Sequence, residues 1–177
     1  MKYKQALGIL TRYIFLVVFG IFGFSFLYKT LTPITVYPVF SILKLFYDDT
    51  IFQSPNVLLI SGNSIILVEA CIAGAAYFLL LILNLTTPLS IKTRIKSLAF
   101  LFASFLLLNI IRIIVFTALY LSGGDIFNIA HLLFWYIGST ILLVLIWFFN
   151  VFLFKIKSIP IYTDIKEIYK DAFKYSK

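Results

Sequence analysis

Four stretches of the chain are free of charge, or nearly so, for long enough to cross a bilayer, and most polar residues fall between them. The first runs from Tyr13 to Tyr28, between Arg12 and Lys29. With Leu10 and a snorkelling Lys29 it reaches span length and predicts a helix over 10–28. A basic start before an apolar run also suits a cleaved signal peptide, but no small-residue cleavage pattern follows Leu27, where Tyr-Lys-Thr-Leu stands. The second stretch is uncharged from Ala70 to Ile91 and is broken by Thr86-Thr87-Pro88, which predicts a helix over 70–88. A third helix is expected over 97–121, interrupted by one charge, Arg112. The uncharged interval 126–154 exceeds the roughly 20 residues a bilayer requires, so the fourth span is placed at 130–154.

The segment 29–69 lies between the first two spans and reads as outer structure. Thr30 to Tyr47 is apolar but carries Pro33, Pro38 and Lys44. A fifth span there would put the amino terminus opposite the other basic segments, so an interfacial or partly re-entrant helix on the outer side is expected. Beyond Asp48-Asp49, Val57-Leu58-Leu59-Ile60 and Ile65-Ile66-Leu67-Val68 flank Ser61-Gly62-Asn63-Ser64, the composition of a small β-hairpin. The competing reading starts the second helix at Ile65, and Glu69 at the membrane rim favours the hairpin. In the tail, 155–177, Asp164 and Glu167 have capping-box spacing, and Ile165, Ile168, Tyr169 and Phe173 recur at helical spacing opposite lysines. This predicts an amphipathic helix on the cytoplasmic leaflet.

Composition agrees. Of 177 residues 62% are hydrophobic and 12% charged, about half the charge of an ordinary soluble domain, which excludes a soluble or disordered chain. The fold class is therefore an all-α polytopic membrane protein of one domain, 1–177, with about four transmembrane helices, interfacial helices and a small outer hairpin. The net charge of +8 does not call for nucleic acid. Lys2, Lys4 and Arg12, then Lys92, Arg94 and Lys96, then the tail lysines lie in three non-apolar segments, and one topology with all three cytoplasmic satisfies the positive-inside rule.

Three rare residues fall at one depth in that topology. Cys71, the single cysteine, begins the second helix at its outer end, and His131, the single histidine, begins the fourth at its outer end. Arg112 lies nine residues before the end of the third, roughly 13 Å below it, within reach by snorkelling. A charge in a membrane helix faces the protein interior or a wet cavity, and Asn109, three residues earlier, shares its face. Arg112 has a structural alternative, pairing with Glu69 or with backbone carbonyls. A thiol in the first turn of a helix, close to a cation, is in the setting that favours the nucleophilic thiolate. Gly74, one turn on, leaves room for another backbone, and His131 suits general base and then general acid. One Cys and one His fall short of a zinc site, so neither a metal nor another cofactor is called for. No Gly-x-Ser-x-Gly motif occurs, and Asp48, Asp49 and Asp125 lie in loops, which leaves Cys71 as the candidate nucleophile.

Val68-Glu69-Ala70-Cys71 leading into a helix, then Asn109-Ile110-Ile111-Arg112, then His131, resembles the exosortase/archaeosortase family of membrane-embedded cysteine transpeptidases in a compact core version, over roughly residues 50–150. Members commonly have Cys-Ser-Gly or Cys-Thr-Gly where this chain has Cys71-Ile72-Ala73-Gly74. The resemblance implies Cys71 as nucleophile, Arg112 as stabiliser of the developing oxyanion and His131 as general acid/base, with Glu69, Asn109 and Gly74 in support. It further implies an extracytoplasmic site in the cell membrane. The expected partners are exported proteins ending in a short motif, a membrane helix and a basic tail, together with an amine-bearing lipid or glycan acceptor. The alternative is a non-enzymatic membrane subunit, or a lipid-headgroup binder, that uses Arg112 and His131 structurally.

Overall fold

A computed structural model describes residues 3–123 and 126–156. The order is α1 (Tyr3–Phe46), strands β1 (Ile51–Ser54), β2 (Val57–Ile60) and β3 (Asn63–Ile66), then α2 (Glu69–Ile72), α3 (Gly74–Thr86) and α4 (Ile91–Leu121). A final helix follows, composed of α5 (Ile126–Leu133), a π-turn (Phe134–Gly138) and α6 (Ser139–Leu153). Four of these helical stretches are long and apolar enough to cross a bilayer: 7–46, 69–86, 91–121 and 126–153. In the last, only 11% of the most apolar window is buried within the protein, and Leu145, Phe148, Phe149 and Phe152 face outward. Such a surface is stable against lipid and not against water.

Residues 30–46 correct the expectation of a separate interfacial or re-entrant helix over 30–47, because they continue the first helix without a break. Pro33 and Pro38 cannot donate to the carbonyls of Lys29 and Ile34, so two ladder bonds are missing. Packing overrides that loss: Val36, Val39 and Leu43 are fully buried in one core with Leu58 and Ile60 of β2. Phe52 stacks on Tyr37 at 5.5 Å and meets Phe40 edge-on at 5.6 Å. The upper half of α1 is thus the support of the sheet.

The hairpin is present, and the helix beginning at Ile65 is not. The loop is shorter than expected: Ile60 pairs with Asn63, and Ser61 and Gly62 adopt φ of 49° and 77°, a two-residue turn with both centres left-handed. The sheet has a third strand beyond the expected hairpin. β1 pairs antiparallel with β2 in the order β1-β2-β3, so β3 is an edge strand.

Helix bounds differ from expectation in three further places. α4 begins at Ile91, with Ser90 capping it by accepting from the Thr93 amide, so Lys92, Arg94 and Lys96 stand on its first turns and not in a loop. The second span is broken: Ala73 has φ 60°, ψ 37° and separates α2 from α3. The fourth starts at Ile126, which makes His131 its sixth residue, not its first. The amphipathic tail lies outside the described residues from 157 onward, as does Asp125.

At the basic end, Asn84 Nδ2 donates to Ser97 Oγ at 2.8 Å and Ser97 Oγ donates to Asn150 Oδ1 at 2.9 Å, a fully buried chain tying α3, α4 and α6. Arg12 Nη1 donates to Leu85 O, and Arg94 donates to the carbonyls of Asn84 and Thr87, placing two cations where α3 ends in unsatisfied carbonyls. Ser97→Ala removes both links of the buried chain and should lower stability by about 1–2 kcal/mol, read as a shift in SDS-induced unfolding. Unchanged unfolding would mean that the chain carries no net stability.

Candidate functional site

From Ser97 to Arg112 the helix α4 climbs roughly 22 Å, to the level of the break in the second span. A continuous helix there would pair the carbonyls of Ala70 and Cys71 with the amides four residues on. The left-handed Ala73 interrupts that ladder, and side chains take its place. Asn109 Nδ2 donates to Cys71 O at 2.9 Å, while Arg112 Nη2 donates to Cys71 O at 3.2 Å and to Ala70 O at 3.4 Å. Arg112 Nη1 reaches across to Ser139 Oγ at 3.2 Å.

Ser139 closes the π-turn on the facing helix. In a π-turn the hydrogen bond skips one residue further than in an α-helix, so the Ser139 amide bonds Phe134 O, and its hydroxyl donates to the same oxygen at 3.1 Å. Two irregular helix turns, one before α3 and one before α6, therefore face each other with the Arg112 guanidinium between them. The Phe134 ring lies 6.0 Å from the guanidinium carbon.

Cys71, Arg112 and His131 line one cavity of about 280 Å³. Its other walls are β3 and the segment after it, 64–68, and the aromatic residues Phe116, Tyr120, Phe127 and Phe134. The His131 ring stacks on Phe127 at 5.3 Å and meets Phe116 edge-on at 5.4 Å. Cys71 is half-buried and within electrostatic range of Arg112. Arg112 and Trp135 also form the wall of a second cavity of about 440 Å³, which holds Glu69, Asn109, Tyr28 and Ser139.

The supporting residues fare differently. Asn109 shares the Arg112 face as expected and is 1% exposed. Gly74 does leave room, but for the Tyr28 ring rather than a backbone: a Cβ there would stand 2.9 Å from it. Glu69 is exposed, and no Arg112–Glu69 ion pair occurs among the described residues, so the carbonyl alternative describes the contacts that Arg112 makes. Cys71 sits in a one-turn helix, so the dipole expected from a long helix is largely absent. Ser139, Trp135 and the Phe116–Phe127–Phe134 wall were not anticipated. The signal available for Ser139 was a hydroxyl in the middle of an apolar run. No three His, Cys, Asp or Glu side chains gather into a metal-holding group among the described residues.

No family model, curated protein or solved structure matches the chain.

The cavity sets a test of access. Ile66→Trp, an exposed change on β3 that fills the cavity mouth, should slow alkylation of Cys71 by N-ethylmaleimide about tenfold, since thiol reactivity follows access. Leu79→Trp, lining neither cavity, should leave the rate unchanged when followed by mass spectrometry. Equal rates in all three proteins would mean that reagents reach Cys71 by another path.

Proposed function

We propose that this chain is a membrane-embedded cysteine peptidase or transpeptidase of exosortase/archaeosortase type. It cuts exported proteins near a C-terminal sorting signal on the extracytoplasmic side and passes them to an amine-bearing lipid or glycan. The observation that carries the reading is the common cavity of Cys71, Arg112 and His131, three rare residues from three separate helical segments. The sequence supports it through the order and spacing of Val68-Glu69-Ala70-Cys71, Asn109-Ile110-Ile111-Arg112 and His131.

In this reading Cys71 Sγ attacks the scissile carbonyl carbon, with His131 taking the thiol proton. The carbonyl oxygen becomes an oxyanion beside Arg112. The hydrogen bonds of Arg112 to Ala70, Cys71 and Ser139 use Nη1 and Nη2, which leaves the Nε–H uncommitted among the described residues. As the C–N bond breaks, His131 gives the proton to the leaving amine, and a thioester remains on Cys71. An acceptor amine, or water, then releases it. The aromatic and aliphatic cavity wall suits an extended apolar segment, and the adjoining edge strand β3 has backbone groups turned away from β2 that such a segment can pair with.

One observation favours the non-enzymatic reading. The Arg112 bonds join α2, α4 and α6, as a purely structural charge would. Two variants separate the readings, assayed against a co-expressed exported protein ending in motif, helix and basic tail. Cys71→Ala should fold and reach the membrane normally but leave the substrate uncut. Arg112→Lys should cut cleavage by about 10²–10³-fold, the scale of a lost oxyanion donor, because Lys lacks the planar fork. Normal processing by Cys71→Ala would end the nucleophile assignment. An impermeant thiol reagent on intact cells should also reach Cys71, and labelling from the cytoplasmic side alone would reverse the topology.

A further inference from the structure

A π-turn is a rare form of helix, so one that persists has something holding it. Here the Phe134 carbonyl receives both the amide and the hydroxyl of Ser139. The same hydroxyl oxygen accepts from Arg112 Nη1 at 3.2 Å, and a donor on that oxygen strengthens the bond its O–H makes onward. Gly138 leaves the space that the Phe134 ring fills beside the guanidinium, since a Cβ there would stand 2.6 Å from the ring. The two halves of the helix are held unequally. α6 is anchored to Ser97 through the fully buried Asn150, whereas no residue of α5 is buried. A change in the turn is therefore expressed in α5, the half that carries His131.

Resting on the peptidase reading above, we infer that Ser139 is a positioning residue for the acid/base step: its hydroxyl ties the π-turn to Arg112 and so keeps the His131 imidazole turned into the cavity that holds Cys71. Ser139 lines the second cavity and not that one, so it acts through the backbone of 134–138 and not on the reacting atoms. Without the hydroxyl, the Phe134 carbonyl takes the amide of Gly138, four residues on, and the extra residue is absorbed into ordinary helix. α5 then turns by about 100°, and His131 leaves the cavity for the lipid-facing side. Because Arg112 is the other end of the link, the group placed for the oxyanion and the group that moves the proton are set in register by one hydroxyl. What the residue supplies is an angle, which separates it from a hydroxyl that merely strengthens the helix.

An angle can be restored by changing the residue count. Ile137 is exposed and lines neither cavity, and deleting it shortens the turn by the residue that makes it a π-turn. An ordinary helix then presents His131 on its present face. The test uses the full chain in phosphatidylcholine nanodiscs, labelled with ¹⁵N-histidine and purified without a histidine tag, so that the single histidine gives one imidazole spectrum. Phosphatidylcholine carrying a spin label near the top of its acyl chain broadens side chains that face lipid. Broadening should rise severalfold in Ser139→Ala, stay at the wild-type level in Ser139→Thr, which keeps the hydroxyl, and return to that level in Ser139→Ala with Ile137 deleted. Processing of the co-expressed exported protein should follow the same order, falling about 10²-fold in Ser139→Ala, the scale of a lost acid/base group, and recovering in the other two. Wild-type broadening in Ser139→Ala, or a deletion that leaves the imidazole in lipid, would overturn the assignment. A wild-type chain that cuts no exported protein would instead remove the peptidase reading, and the broadening series would still decide whether Ser139 sets the angle of His131.

Discussion

The Arg112 guanidinium is the group around which the rest is arranged. A charge in the midst of an apolar helix costs at least about 2.5–3.5 kcal/mol on insertion scales, and it is tolerated only where polar partners meet it inside the protein. Ordinary helices have few such partners, because their carbonyls are already bonded. This chain frees them by breaking a helix. Ala73 takes a left-handed conformation costing about 1–2 kcal/mol in a non-glycine residue, and the carbonyls of Ala70 and Cys71 are released toward Arg112 and Asn109. The cation and the backbone break each satisfy what the other leaves unpaired.

Placing both irregular turns at Arg112 follows from the same constraint. In lipid an unbonded carbonyl has no water to turn to, so non-helical backbone belongs where it is enclosed by protein or lines a cavity. The break before α3 and the π-turn before α6 both line the two cavities, bridged by Arg112 through Ser139. Their location between two cavities also keeps the Cys71 sulfur on a short, side-chain-supported turn, where its main chain is held by Asn109 and Arg112 rather than by a helix ladder. The main chain that carries the sulfur is therefore held in part by Arg112, the residue that lines both cavities.

Much of the frame could be read from the sequence because apolar length is a one-dimensional property. The four spans and the hairpin follow from charge-free runs and from Ser61-Gly62, and the convergence of Cys71, Arg112 and His131 follows from counting residues along helices. What the sequence concealed were features decided by packing. Pro33 and Pro38 argue locally for an interruption, yet Val36, Val39 and Leu43 bury against β2 and carry the helix through. β1, four residues of alternating exposure, has no signature apart from its partner β2. Ala73 has nothing in its side chain to announce a left-handed backbone. The π-turn has no periodic signal either, since one extra residue is invisible until the face of the helix is known.

That extra residue decides where His131 points. Below it, Asn150 is tied to Ser97 in the buried chain at the basic end, and Ser139 is tied to Arg112, so the rotation of α6 about its axis is fixed at two places. Each residue of an α-helix advances about 100° around the axis. Had Phe134–Gly138 been ordinary helix, everything before it would be turned by about that angle relative to α6, and a side chain now in the cavity with Cys71 and Arg112 would lie along the outer face. The aromatic wall formed by Phe116 and Phe127 around the imidazole then holds it at the angle that the turn provides. Anchors at the basic end thus govern the geometry of a site roughly 22 Å away, through a helix whose one irregular turn supplies the phase.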